Sequence, residues 1–177
     1  MKEIIKNLSE KYLEQVINLR RELHKIPELG FQEFKTAEVI KRELDKLGIP
    51  YKSEVAKTGI VAMIEGREEG KTVLLRADMD GLPLEEESRC EFKSEIKGQM
   101  HACGHDGHVA SLLGTAMILN ELRSHIKGKV KLVFQPAEEG PGGAKPMIEE
   151  GVLENPKVDA AFACHLWPAY KAGHVVI

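Results

Sequence analysis

The sequence predicts an α/β layered fold with a largely parallel sheet, and two observations predict it. Short apolar runs at residues 59–64, 72–75, 130–134 and 158–163 alternate with segments whose apolar residues recur at helical spacing. Residues 72–75 are apolar throughout rather than alternating, as in a strand covered on both faces.

Each element has its own signal. Leu13, Val16, Ile17, Leu19, Leu23 and His24 recur near helical spacing, and Pro27 ends that helix. Glu28-Leu29-Gly30 turns the chain. A second helix carries Phe34, Ala37, Val39, Ile40, Leu44 and Leu47 on its apolar side and stops at Gly48. Residues 67–70 read as a turn between the first two strands, and residues 109–122 as a helix. Pro141-Gly142-Gly143 is a loop before a short helix over 144–151. Residues 173–177 look like the start of another strand. No repeat or low-complexity segment interrupts the chain.

At 177 residues the chain is long enough for one domain that buries roughly 70% of its unfolded surface. Its 42% apolar and 30% charged residues are an ordinary balance for a soluble globular protein. A net charge of −3, with both signs interspersed, points away from nucleic acid and from a membrane face. No apolar run is long enough to cross a bilayer, and the N-terminus is too polar for a signal peptide. Three cysteines without a disulfide-like spacing imply a reducing, cytoplasmic setting. Many Lys and Glu beside few Asn and Gln lean towards a heat-adapted source.

The chemistry collects at strand ends. Residues 72–75 run into Asp78 and Asp80, residues 130–134 into Glu138 and Glu139, and residues 158–163 into Cys164 and His165. Strand C-terminal ends share one edge of a parallel sheet, where ligand sites form. The cluster His101-Ala102-Cys103-Gly104-His105-Asp106-Gly107-His108 precedes a helix and can reach the same edge. One glycine separates Cys103 from His105, so thiolate and imidazole can meet one metal, or the cysteine can bridge two. Adjacent glutamates offer one oxygen ligand and one general base.

Each group has a plainer reading. Cys103 alone would be a small buried hydrophobe, and as a nucleophile it would need a strongly depressed pKa. No Cys-x-x-Cys pair supports a redox role. Glu138-Glu139 could be a solvated loop, and Asp78 and Asp80 turn formers before Gly81. Their places at strand ends favour a site role, with the aspartates orienting a ligand rather than binding metal. His101 and His108 are read as hydrogen-bonding groups, not ligands. His24 at a helix end is structural, His125 and His174 lie on the surface, and Cys90 and Cys164 are structural.

These motifs together resemble the amidohydrolase branch of the aminoacylase/carboxypeptidase superfamily of dinuclear metallopeptidases. That branch includes N-acyl-amino-acid amidohydrolases, hippurate hydrolases and auxin-conjugate hydrolases. The matching segments are Leu19 through Gly30, Leu75-Arg76-Ala77-Asp78-Met79-Asp80-Gly81-Leu82-Pro83, Met100 through His108, Phe134-Gln135-Pro136-Ala137-Glu138-Glu139-Gly140 and His165-Leu166-Trp167-Pro168. They occur in the family's order.

The resemblance implies a three-layer αβα catalytic domain with a largely parallel or mixed sheet. It implies a metal-bridging role for Cys103, ligation of one metal by His105 and Glu139 and of the other by His165, and Glu138 as the base. It also implies that Asp80, at the site edge, orients a ligand. Two divalent ions are expected, of zinc, manganese, nickel or cobalt. Family members are longer. The resemblance makes residues 1–177 the N-terminal portion of the catalytic domain, without the lid or dimerisation domain and the returning segment that brings another histidine ligand and substrate-carboxylate contacts. The expected activity is hydrolysis of the amide bond of N-acyl amino acids or small peptides, in a possible homo-oligomer. The alternative is an inactive metal-binding fragment that needs a missing segment or partner chain.

Overall fold

The Lys- and Glu-rich N-terminus is made of good helix formers, and it extends the first helix back to the start of the chain. In the computed structural model, which describes residues 1–177, α1 spans Lys2–His24. Its packed stripe is Tyr12, Val16, Leu19 and Leu23, at three- and four-residue spacing. Leu13 and Ile17, expected on the apolar side, are exposed. α2 spans Phe34–Leu47 and ends at Gly48, whose φ of 62° is the left-handed stop expected there. Phe34 is exposed, so the packed face of α2 begins at Ala37. The Glu28 carboxylate accepts the backbone N–H of Lys35 and Thr36 and so caps α2 from five residues upstream of its N-cap, Glu33.

Five strands follow: β1 (Tyr51–Val55), β2 (Gly59–Glu65), β3 (Glu68–Asp78), β4 (Lys127–Gln135) and β5 (Ala160–Ala163). α3 (His105–Glu121) joins β3 to β4, and α4 (Ala144–Glu149) lies between β4 and β5. The sheet order is β1-β2-β4-β3-β5. β3 runs parallel to β4 and β5, whereas β2 is antiparallel to β1 and β4. The sheet is therefore mixed, with parallel pairing confined to the half that carries the chemistry. The expected turn at residues 67–70 shrinks to Gly66–Arg67, because β3 begins at Glu68. β1 was not visible in the periodicity: it is a short edge strand with only Val55 buried. Residues 173–177 form no strand, since they are exposed and pair with nothing.

Alternation along β4 sorts the core into two layers. Leu132 and Phe134 face α1, α2 and α3 with Leu23, Ile40, Ile60, Ile64, Leu113 and Met117. Val133 faces the other way, against Leu74, Met147 of α4 and Val152. Lys131 shares that second face and is 2% exposed. Its ammonium donates to the carbonyls of Val152 and Glu154, both at 2.8 Å, and of Pro156 at 3.0 Å. Burial pushes its pKa below the ordinary lysine value, yet three acceptors keep it satisfied. The helix–sheet–helix layering is the expected αβα arrangement. No helix is long and apolar enough to cross a membrane.

Replacing Lys131 with Met keeps the apolar stem and strands three carbonyls. Lys131→Met is expected to lower stability by about 1–3 kcal/mol, read as a lower urea midpoint with an unchanged m-value; an unaltered midpoint would show that water replaces the ammonium.

Candidate metal centre

The register of β3 with its neighbours brings the strand ends together. Asp78 sits opposite Gln135 of β4, and Arg76 opposite Ala163 of β5. The residues just beyond those ends, Asp80, Glu138, Glu139 and His165, therefore meet along one edge. His105 opens α3 directly after Gly104, whose φ of 85° suits glycine and turns Cys103 and His105 toward the same space.

His105 is 1% exposed. Its Nδ1–H donates to Asp80 Oδ1 at 3.1 Å, and because a carboxylate can only accept, this contact fixes the tautomer. The lone pair on Nε2 then faces the opening. It is buried without a hydrogen-bond partner, 3.6 Å from Glu139 Oε1 and 4.0 Å from Glu138 Oε2. His165 repeats the pattern: its Nδ1–H donates to the Leu166 carbonyl at 2.7 Å, and Nε2 lies 3.5 Å from Cys103 Sγ. One donor atom each from Cys103, His105 and His165 lie within 4.8 Å of one another, as do those of His105, Glu138 and Glu139.

Negative charge dominates the setting. Burial works against the ionised form of Asp78, but His108's hydrogen bond and the charges of His105 and Arg76 hold its pKa below the ordinary value. Asp80 is likewise held low against burial, by His105 and by the backbone N–H groups of Glu139 and Glu138. The His105 pKa is raised, because its acidic neighbours outweigh burial. The Cys103 thiol is pushed up to about 12, by burial first and then by Glu139, Asp78 and Glu138. This is the reverse of what a nucleophilic cysteine needs. A buried imidazole nitrogen without a partner, beside a thiol, a second imidazole and surplus carboxylates, is a donor set that fits divalent cations.

The remaining predictions sort by their contacts. Asp80 is not at the rim but beneath His105, 2% exposed, where it also accepts Glu139 N–H at 3.0 Å. His108 uses both nitrogens, donating to Asp78 Oδ1 at 2.5 Å and accepting Leu166 N–H at 2.9 Å, so it has no lone pair for a metal. His101 is buried with neither ring nitrogen hydrogen-bonded, and burial lowers its pKa to about 4. His24 is buried rather than merely helix-terminal, with Nδ1 on Asp106 at 2.7 Å and Nε2 on Glu86 at 3.3 Å. His125 and His174 are exposed, as expected, and all three cysteines are free. Sequence reasoning missed Glu33, which hides in the charged run Gln32-Glu33-Phe34-Lys35 but is fully buried against the turn that carries Glu138.

With divalent ions chelated, Cys103 alkylation followed by peptide mass mapping should still accelerate at pH 10, because the thiolate is scarce below a pKa of about 12. A rate that levels off near pH 8 would show an activated thiolate instead.

Comparison with known proteins bears on this geometry. The model of peptidase family M20/M25/M40 matches residues 74–177. The IAA-amino acid hydrolase ILR1-like 2 of Arabidopsis thaliana is 53% identical over 151 residues, covering 85% of this chain and 34% of that protein. The N-acyl-L-amino acid amidohydrolase of Geobacillus stearothermophilus is 46% identical over 177 residues, covering 99% of this chain and 47% of that protein. Among solved structures, the Bacillus subtilis YXEP protein, described as a dinuclear metal binding peptidase, superposes with a TM-score of 0.85 at 46% identity. That match covers 90% of this chain and 44% of the other. The chain thus spans between about a third and a half of the length of these relatives.

Proposed function

The chain belongs to peptidase family M20/M25/M40, and from that premise we propose that it carries most of a dinuclear metal site for hydrolysing the amide bond of an N-acyl amino acid or small peptide. The observation that carries the proposal is the free, buried Nε2 of His105, facing Glu138, Glu139 and the Cys103–His165 pair. In this reading His105 and Glu139 would hold one divalent ion, His165 would hold the other, and Cys103 would serve both. Zinc, manganese, nickel and cobalt all suit a mixed sulfur, nitrogen and oxygen set. Such ions, when bound, would acidify a water and polarise the scissile carbonyl.

The protein's own groups do the rest. Glu138 takes the proton from water as its oxygen attacks the carbonyl carbon, and returns it to the amine nitrogen as the C–N bond breaks. Its side chain is 42% exposed, so water and substrate can reach it. Asp80 keeps the His105 ring turned with Nε2 outward, and through Glu139 N–H it also steadies the neighbouring ligand. A reducing, cytoplasmic setting agrees with three free cysteines. A second reading is that residues 1–177 bind metal through this donor set without turnover on their own.

Elemental analysis with a panel of N-acetyl and N-benzoyl amino acids separates the two readings. Hydrolysis that a chelator abolishes supports the first, and bound metal with no turnover of any substrate supports the second. Glu138→Gln is expected to lower kcat about 10²–10⁴-fold while metal content holds; undiminished turnover would remove Glu138 as the base. Asp80→Asn is expected to weaken metal affinity about 10–100-fold, measured by chelator competition. An affinity equal to the parent's would mean that Asp80 does not orient His105.

A further inference from the structure

Glu33 is an ionisable group buried far from any obvious reason to be charged. It is the N-cap residue of α2 and is fully buried. What faces its carboxylate is a set of hydrogen-bond donors rather than cations. Ala137 N–H donates to Oε1 at 2.8 Å, and the Thr58 hydroxyl donates to Oε2. Burial pushes its pKa up, against those donors. A buried carboxylate without a counter-ion costs free energy that an apolar side chain of similar size would not. Its usefulness therefore has to be sought in what it holds.

It holds one strained residue. Ala137 has a φ of 51°, in the left-handed region that a residue with a Cβ enters at a cost. Both of its backbone polar groups are pinned: Glu33 takes its N–H, and Gly142 and Gly143 donate to its carbonyl at 3.0 Å each. The turn at Gly30 presses on it from behind, where an added Cβ would stand 2.9 Å from Ala137 Cα. Glu138 and Glu139 come next in the chain. With β4 ended at Gln135, the φ of Ala137 is among the backbone angles that set the direction their side chains take.

We propose that Glu33 is a positioning residue for Glu138: it holds Ala137 in the left-handed conformation that turns Glu138 and Glu139 toward His105. The role rests on the reading of Glu138 as the base. Glu33 touches neither substrate nor metal.

The test compares the parent chain with Glu33→Ala and Glu33→Gln, all three checked for fold by circular dichroism. Amide hydrogen exchange at Ala137, kcat and KM on an N-acyl amino acid, and Mn²⁺ affinity are measured. Glu33→Ala is expected to speed exchange at Ala137 about tenfold or more and to lower kcat about 10–100-fold with KM nearly unchanged. Mn²⁺ affinity falls with it, through Glu139. Glu33→Gln restores most of each, because its amide oxygen still accepts from Ala137 and the Thr58 hydroxyl can accept from its NH₂. A folded Glu33→Ala variant with Ala137 still protected, or with parental kcat and Mn²⁺ affinity, overturns the proposal; so does a glutamine variant as impaired as the alanine one. Should Glu33→Ala not fold, Glu33→Asp keeps the charge but shortens the reach, and parental kcat there overturns it equally. Turnover surviving Glu138→Gln would instead sink the base assignment, and the Ala137 exchange data would be unaffected by that failure.

Discussion

β3 pairs in parallel with β4 on one side and β5 on the other, and the shared register from Val73 to Arg76 sets where every chemical group of the site begins. In a parallel arrangement the three chains leave the sheet at the same edge, so residues distant in sequence emerge side by side. Aspartates follow β3, glutamates follow β4 and a histidine follows β5. A one-residue slip of β4 against β3 would turn Leu132 and Phe134 out of the core. The apolar packing that holds the fold together is therefore also what holds the site in alignment. The antiparallel half of the sheet, β1 and β2, contributes core but no ligand-type group at that edge.

The site is then built from negative charge that the protein keeps ionised at some cost. Asp78 and Asp80 are both nearly fully buried, and burial works against their ionised form. His108, His105 and Arg76 hold the pKa of Asp78 low, and His105 with the backbone N–H groups of Glu139 and Glu138 does so for Asp80. Those contacts use up the inner nitrogen of His105 and Nδ1 of His108, whose Nε2 is taken by Leu166 N–H. What remains toward the opening is a lone pair on His105, another on His165, a thiol and two carboxylates. Asp80 acts at one remove: it gives His105 a defined free face. The raised thiol pKa of Cys103 belongs to the same balance, since a group that loses its proton into surplus negative charge needs a cation beside it.

Much of this was legible in the sequence, for a physical reason. Apolar runs that stop abruptly at acids or histidines reveal both the strand and the site at its end, and the cluster around Cys103 and His105 is dense enough to stand out. What was hidden depends on partners far along the chain. β1 is polar because only its last residue is buried. The direction of β2 leaves no trace in a period of two, so a mixed sheet looked largely parallel. The resemblance places Asp80 at the site edge and its plainer reading is a turn before Gly81, yet it is covered by His105, 25 residues later. Glu33 sits in a stretch that reads as a solvated helix start; its burial is decided by Thr58 and by Ala137, 104 residues away.

The accounting of histidine nitrogens also separates this centre from the other cluster that resembles one. His24, Glu86 and Cys90 bring ligand-type atoms within 4.8 Å of one another, just as Cys103, His105 and His165 do. Proximity alone would rank the two groups together. But His24 lies between two carboxylates, with Asp106 on Nδ1 at 2.7 Å and Glu86 on Nε2 at 3.3 Å. An imidazole with an acceptor on each nitrogen is best satisfied as a cation, donating both protons and keeping no lone pair. The Glu86 carboxylate is occupied as well, accepting from Ser88 and from Ser94 N–H. That cluster is closed by its own hydrogen bonds and ties α1 to the first turn of α3. His105 spends Nδ1 on Asp80 and leaves Nε2 bare, while His165 spends Nδ1 on the Leu166 carbonyl and turns Nε2 to Cys103 Sγ. It is this asymmetry, more than the gathering of residues, that marks a metal centre.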